Sequence, residues 1–294
     1  MYTYVYQFAN TTIGIQIPFP VTQQKRYRQF LLSENNGSID TLRTKPDIDV
    51  TFISCENEII HREKPMLAEN ARVFKSERGF YLELSQGKEA SITSIEQLTG
   101  TKQTSYICKY YEKTKWELYY SNFLIEAISL EHILNREQIF ILHSSYIRWR
   151  KKSILFTAPS GTGKSTQAQL WNKYEKVDII NGDRTAIGTK EDNFYSYGIP
   201  FCGSSDISKN VTCPLGAVVV LRQAKNNSIV RLTDLEAFKY IYSETIVHSW
   251  DPEYVEICME KIEKLVKSVP VYLLFCRPDR EAVEVLKNEL EQIW

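Results

Sequence analysis

The sequence predicts a mixed α+β and α/β protein in two parts, a small β-rich domain over residues 1–120 and an α/β domain over residues 121–294. Three observations predict this division. Short runs of alternating apolar and polar residues fill the first part, which lacks long helical periodicity. After residue 121, strand-like and helix-like segments alternate along the chain. Within the second part, an apolar run leads into a loop of small residues and then a helix, in SILFTAPSGTGKSTQAQLW at 153–171.

Composition and charge narrow the classes of function. The 294 residues include 36 Lys and Arg and 36 Asp and Glu, so no global field favours nucleic acid or an anionic membrane. The six cysteines form no Cys-x-x-Cys pair, which argues against a zinc site or a disulfide framework. The first residues do not resemble a signal peptide, and the apolar runs are too short to span a bilayer. We therefore expect a cytoplasmic protein with neither a nucleic-acid nor a membrane partner.

Alternating runs predict the strands of the first part. YTYVY and TIGIQI each alternate, and ARVFKSERGFYLEL is typical of a hairpin that turns near residues 77–79. SYICKYYEKTKWELYY is typical of a second hairpin, turning near Lys113. Its lysines, interleaved with aromatic residues, could stack single-stranded bases, but alternation in an antiparallel hairpin explains them equally well. With zero net charge, we favour the hairpin.

The second part begins with SNFLIEAISLEHILNRE, in which Phe123, Ile128, Leu130 and Leu134 lie near one helical stripe. A helix is expected over residues 164–173. The basic cluster RWRKK at 148–152 lies between two apolar runs and is expected to be a solvated hairpin tip. The other predicted strands are QIFILHS, SILFTA, KVDIIN, a hairpin around TAIGTKEDNFYSY, AVVVL, SIVRL and PVYLLF.

Local signals mark the helices that close the chain. Thr233 and Glu236 have capping-box spacing, and Asp251 before a proline is typical of an N-cap followed by a first-turn proline. The last helix is expected to turn Val283, Leu286, Leu290 and Ile293 towards the core.

The glycine-rich segment has the pattern of a phosphate-binding loop. Consecutive backbone N–H groups and the N-terminus of a helix can hold a triphosphate without a rigid cage, and glycines permit the required curl. Lys164 would reach the terminal phosphates and the Ser165 hydroxyl would bind Mg²⁺. Ala158 replaces the usual first glycine, a change that a small residue with negative φ tolerates. The expected ATP-binding residues are Ser160, Gly161, Thr162, Gly163, Lys164, Ser165 and Thr166.

Asp183 is the expected second metal ligand. It follows the apolar run of KVDIINGDRTAI, just past a predicted strand, where a metal-binding carboxylate should lie. The alternative is a plain turn residue, because Asn-Gly is a common hairpin signal. Because a phosphate-binding loop precedes it, we favour the metal-ligand role of Asp183 over the turn residue.

SGTGKST followed closely by a strand that ends in Gly-Asp resembles the HPr kinase and ATP-dependent phosphoenolpyruvate carboxykinase superfamily. His143 stands where the kinases of that family carry a histidine, on the strand before the loop. YGIPFCG and CPLGAVVVL resemble an HPr-kinase-related subgroup linked to peptide natural products, which pairs a small N-terminal β domain with a C-terminal kinase domain. The resemblance covers about residues 121–294 and is strongest around the loop.

The resemblance implies phosphoryl transfer from ATP with Mg²⁺, and the kinase activity fits better than decarboxylation. The sequence also departs from the family. Gly182 stands where bacterial HPr kinases carry the first of two aspartates, and Ser144 replaces the glycine after their histidine. Reverse phosphorylase activity and HPr itself as the substrate are therefore not expected.

Two residues are candidates for removing the proton of the acceptor hydroxyl. Neutral His143 could accept it, although a histidine packed on a strand is nearly as good an interpretation. Asp183 could serve both the metal and the nucleophile. Asp206 and Lys209, in CGSSDISKN, could contact the substrate, but a solvent loop is the better interpretation. The expected catalytic residues are thus His143, Lys164 and Asp183.

Three functions follow from these residues. The first is a kinase for a serine or threonine of a peptide or small protein, which an edge strand of the β-rich domain could bind. The second is a kinase for a small-molecule hydroxyl. The third is a non-catalytic nucleotide-binding assembly factor, motivated by the missing aspartate at Gly182. A homo-oligomer is compatible with each.

Overall fold

The chain folds as a mixed α/β protein with two sheets, one of nine strands and one of eight. This computed structural model describes residues 1–39, 42, 44–55, 66–68, 71–76, 79–86, 89–98 and 104–294. Two compact units make up the chain, Met1–Ile133 and Leu134–Trp294. The domain boundary predicted after residue 120 stays a prediction.

The first unit contains the nine-stranded sheet, in the order β3-β1-β2-β4-β9-β8-β7-β6-β5. The first two strands form the predicted antiparallel hairpin, and parallel pairs join β2 to β4 and β4 to β9. The hairpin of β6 and β7 is confirmed, while its turn residues 77 and 78 lie outside the described residues. The strands are β1 (Tyr2–Phe8), β2 (Thr11–Ile17), β3 (Leu31–Asn35), β4 (Ile48–Cys55), β5 (Met66–Ala68), β6 (Ala71–Ser76), β7 (Gly79–Gln86), β8 (Glu89–Leu98) and β9 (Thr104–Tyr111), with the short helix α1 (Lys25–Arg28) after β2.

The prediction of a hairpin that turns near Lys113 was wrong. The chain leaves β9 into two 3-10 turns, Glu112–Thr114 and Glu117–Tyr119. The buried hydroxyl of Thr114 donates to the carbonyl oxygen of Tyr111 at 3.3 Å, which closes the first turn. Leu118 is buried in the second 3-10 turn. Burial of these two side chains therefore favours the turns, although the residue types alternate as in a strand.

The single helical stripe predicted after residue 121 is two helices, α2 (Ser121–Ala127) and α3 (Leu130–Arg136). Ser129 lies between them with a φ of +52°, in the left-handed region, and that conformation interrupts the helix. Leu130 and Leu134 are fully buried as expected.

The second unit contains the eight-stranded sheet, in the order β11-β10-β13-β14-β15-β17-β16, with β12 on β10. Because β11 also pairs with β15 in parallel, β10, β11, β15, β14 and β13 form a closed ring of pairings. The predicted strands of this part are confirmed. They are β10 (Phe140–Trp149), β11 (Lys152–Thr157), β12 (Asp178–Asn181), β13 (Arg184–Lys190), β14 (Asn193–Gly198), β15 (Thr212–Gln223), β16 (Ser228–Arg231) and β17 (Val271–Cys276).

Four helices cover this sheet: α4 (Lys164–Glu175), α5 (Asp234–Glu244), α6 (Pro252–Ser268) and α7 (Arg280–Glu291). The residues of β15 alternate between two hydrophobic clusters. Val218 and Val220 pack with α5 and α6, whereas Val219 packs with α4 and α7, so helices lie on both faces of the strand. Ile293 is 46% exposed, beyond the end of α7, so the expectation that it turns inward was wrong.

The predicted helix caps and the basic tip are confirmed. Thr233 and Glu236 form a reciprocal capping box at α5, and the Asp251 side chain accepts from the Tyr254 N–H at α6. Residues 150 and 151 form the turn between β10 and β11, both with positive φ. Among the described residues, no helix is long and apolar enough to cross a bilayer.

Candidate active site

The glycine-rich loop joins the buried strand β11 to the N-terminus of α4. Gly161 and Gly163 have φ values of +79° and +122°, which side chains with a Cβ rarely adopt, so glycine is required at both positions. Ala158 is fully buried in the core cluster beneath the loop and does not have positive φ. Alanine in place of the usual glycine at position 158 is therefore compatible with the loop, because this position needs only a small buried residue after β11.

Lys164, the first residue of α4, folds back over the loop. Its Nζ donates to the carbonyl oxygen of Ala158 at 2.7 Å, and the residue is only 7% exposed. Burial lowers the pKa of the Lys164 amine, and the charges of Glu244 and Asp183 oppose that shift. The ammonium group thus lies within the electrostatic reach of two carboxylates. Ser160, Ser165 and Thr166, in the loop and the first turn of α4, are exposed.

A cleft of about 600 Å³ opens beside the loop. Strands β11, β15 and β17 run parallel, so their carboxyl ends meet at one edge of the sheet, the usual location of a ligand site in such sheets. Gln223, at the end of β15, donates from Nε2 to the carbonyl oxygen of Thr162 at 3.2 Å and so fastens the loop to that strand. The cleft is lined by residues 158–162, residues 220–223, Tyr240, Ser243, Glu244 and Leu273.

His143 on β10 contacts Asp183, which lies between β12 and β13. The distance from His143 Nε2 to Asp183 Oδ1 is 3.1 Å, and the two side chains are about 31% and 28% exposed. The hydrogen bond from His143 lowers the pKa of the Asp183 carboxyl, against a smaller opposing effect of burial. Asp183 is therefore held as an ionised carboxylate beside an imidazole.

The backbone around Asp183 is fixed by Asn181. Its side-chain oxygen accepts from the N–H groups of Asp183 and Arg184 at 2.9 and 3.0 Å. Its amide nitrogen donates to the carbonyl oxygens of Ile199 and Phe201. Residues 182 and 183 form a bend between β12 and β13, which both pair with β10, so Asn-Gly does not make a hairpin here, and the Asp183 carboxylate lies towards His143.

The neighbours of Asp183 leave little room. A Cβ added to Gly182 would lie 2.1 Å from the Ser205 Oγ, so no larger residue fits there without movement. A Cβ added to Gly203 would lie 2.8 Å from Asp183 Cγ, and Gly203 has a φ of +53°. The space for a carboxylate at position 182 is thus occupied by the 3-10 turn Gly203–Ser205.

Sequence reasoning missed Glu244, the last residue of α5. Its Oε2 lies 3.6 Å from His143 Nδ1, on the other side of the ring from Asp183, and its side chain is 13% exposed. The end of α5 is held against β10 by the Ile246 N–H, which donates to the carbonyl oxygen of Ile141 at 2.9 Å. No local pattern in YSETIVHSW points to this contact, because long-range pairing creates it.

Lys209, a second candidate for a substrate contact, lies in a surface ion-pair cluster. Lys209 Nζ donates to Asp178 Oδ1 at 2.7 Å, and Arg148 contacts the other oxygen of Asp178 at 2.8 Å. This half-exposed ion-pair cluster lowers the pKa of Asp178, chiefly through the hydrogen bond from Lys209. Lys209 is thereby committed to a surface ion pair.

The donors around the loop suit a metal that arrives with its nucleotide. Over the residues that the structure describes, no group of three or more His, Cys, Asp or Glu side chains could hold a metal by itself. Asp183 and Ser165 offer hard oxygen donors, and Mg²⁺ in phosphate sites often takes only one or two protein oxygens. The chemistry of these two side chains is thus compatible with Mg²⁺, and their role as its ligands stays a prediction.

Comparisons with known proteins leave the family open. No family model matches the chain, and no curated protein matches it. Among solved structures, the chain is similar to the Hpr(Ser) kinase/phosphatase from Coxiella burnetii, with 11% identity, a TM-score of 0.33, and coverage of 52% of this chain and 97% of that one. A similarity this weak carries no argument about function, which must come from the site.

Proposed function

We propose that the chain is an ATP-dependent kinase that transfers the γ-phosphate to a hydroxyl, with serine or threonine of a peptide or small protein as the acceptor. The observation that carries the proposal is the loop of residues 158–163, which curls through two positive-φ glycines into the N-terminus of the twelve-residue helix α4. Backbone N–H groups and a helix N-terminus together are a ready site for phosphate.

The loop would bind the phosphates of ATP, the phosphoryl donor. The N–H groups of residues 160–163 would bind phosphate oxygens, and Lys164 would exchange its carbonyl partners for the terminal phosphates. Ser165 and Asp183 would hold Mg²⁺, which neutralises phosphate charge when bound. Transfer of a phosphoryl group depends mainly on position and charge neutralisation, so these groups supply the main requirements.

In this proposal the acceptor hydroxyl binds beside His143 and Asp183, which β10 and the β12–β13 connection bring together. From the sequence alone, His143 and Asp183 are the two candidates for taking the proton of a hydroxyl that approaches this pair. The peptide acceptor rests on the likeness of YGIPFCG and CPLGAVVVL to the kinase-related subgroup and on the β-rich first part of the chain.

A second candidate is a nucleotide-binding assembly factor without turnover. It is favoured by Gly182, because the crowding by Ser205 excludes a carboxylate from this position. A kinase for a small alcohol is the third candidate, and differs from the first only in the acceptor.

The experiment is incubation with γ-labelled ATP, Mg²⁺ and a panel of serine and threonine peptides, free serine and other small alcohols. Label on a peptide, stable in mild acid and removed by phosphatase, supports the proposal. Label only on a small alcohol selects the third candidate, and ATP binding without transfer selects the second. Lys164→Ala is the control, since every transfer that uses this site must disappear in it.

A further inference from the structure

We infer that Glu244 is the residue that takes the proton from the acceptor hydroxyl, an assignment that rests on the proposed kinase function. Glu244 ends α5 and lines the cleft beside the loop together with Tyr240 and Ser243. Its side chain is largely buried, and its charge reaches Lys164, the group expected to bind the terminal phosphates. The carboxylate is therefore placed between the loop and the imidazole.

Both ring nitrogens of His143 face a carboxylate. Nε2 lies 3.1 Å from Asp183 and Nδ1 lies 3.6 Å from Glu244. Each ring nitrogen of His143 thus has a carboxylate neighbour, so neither nitrogen faces an incoming hydroxyl alone, whereas Glu244 lines the cleft beside the loop. The imidazole acts as a positioning residue that links the two carboxylates.

The other carboxylate positions are already committed or excluded. Asp183 accepts from His143 and is the expected Mg²⁺ ligand. Residue 182 carries no side chain, and Ser205 fills the space where one would project. Of the described acidic residues that line the cleft, Glu244 remains as the proton acceptor next to the loop.

The step balances as an ordinary phosphoryl transfer. The acceptor O–H bond breaks and its proton passes to a Glu244 carboxylate oxygen. The acceptor oxygen forms a bond to the γ-phosphorus while the bond from that phosphorus to the bridging oxygen breaks, which releases ADP. After the products leave, Glu244 returns the proton to water.

The test compares Glu244→Ala, Glu244→Gln and the wild type, with transfer of label from γ-labelled MgATP measured for the panel of serine and threonine peptides, free serine and other small alcohols. Loss of a positioned base should lower kcat by about 10²- to 10⁴-fold in both variants. The dissociation constant for MgATP, measured by calorimetry, should stay unchanged, because the loop is intact. Added formate should restore part of the rate in Glu244→Ala, where space is open, and none in Glu244→Gln, where the amide fills it.

Glu263→Gln is the matched control, because Glu263 is an exposed carboxylate on α6 that pairs with Lys267 away from this cleft. It should keep the wild-type rate. A wild-type kcat in Glu244→Ala, or a loss of kcat that formate does not restore, would overturn the assignment of Glu244. Absence of label transfer from the wild type to any acceptor of the panel would instead overturn the kinase function, so the two failures are distinguishable.

Discussion

Gly203 controls the position of the Asp183 carboxylate, and Gly203→Ala is the most informative single substitution in the site. The added methyl would lie 2.8 Å from Asp183 Cγ, where ordinary contact begins at 3.4 Å. The carboxylate must therefore retreat by about 0.6 Å, the difference between these two distances. Residue 203 would in addition hold a side chain at a φ of +53°.

Two separate effects follow. The positive φ costs on the order of 1–2 kcal/mol of stability, as for any L-residue in the left-handed region. The retreat displaces the carboxylate that makes the 3.1 Å hydrogen bond with His143. A misplacement near 1 Å can slow a reaction by about 10²-fold, so we expect kcat to fall by roughly 10- to 100-fold. MgATP affinity should change little, because the loop backbone does not contain this residue.

Three measurements separate the effects: the thermal midpoint, the dissociation constant for MgATP, and the steady-state rate of ADP release. Gly161→Ala is the control for stability. An added Cβ there meets nothing within 4 Å at a similar positive φ, so its loss of thermal stability measures the backbone effect alone. If Gly203→Ala keeps the wild-type kcat, the reasoning that Asp183 must stay beside His143 is refuted.

Three further predictions follow from the same contacts. Lys164→Ala should remove most MgATP affinity, measured by calorimetry, since no other side chain of the loop carries a positive charge; unchanged affinity would be inconsistent with a phosphate-binding loop. Asp183→Asn should lower kcat far more than MgATP affinity, because an amide is a weaker Mg²⁺ ligand; wild-type rates at low Mg²⁺ would contradict that role. Asp178 has a lowered pKa in the folded chain, so its contribution to stability is present above the unfolded pKa of about 3.9 and lost as pH falls through the folded value. Asp178→Asn should therefore destabilise the chain near neutral pH by at most about 1 kcal/mol, since the pair is half exposed, and this difference should vanish in strong acid; a difference that persists there would exclude the ion pairs as its cause.

Local signals account for the parts of the fold that the sequence predicted. Strand β11, the loop and α4 follow from an apolar run, small residues and a helix start, all within one short segment. The capping box at Thr233 and the N-cap at Asp251 depend only on residues three positions apart, and both are confirmed.

Long-range packing accounts for what the sequence did not predict. The alternating residues after Tyr111 coil into 3-10 turns because Thr114 and Leu118 are buried, and burial is not visible in residue type alone. Glu244 reaches His143 only because α5 ends against β10, a contact between distant parts of the chain. The crowding of Gly182 by Ser205 likewise depends on a turn that residues far from the loop form.

The stoichiometry of phosphate transfer tests the central claim most directly. Wild-type protein, γ-labelled ATP, Mg²⁺ and a serine-containing peptide are incubated together, and ADP, inorganic phosphate and phosphopeptide are quantified in the same sample. The account predicts one phosphopeptide for each ADP released, with neither product formed by Lys164→Ala. ADP matched by inorganic phosphate alone, or phosphopeptide formed equally well by Lys164→Ala, would contradict it.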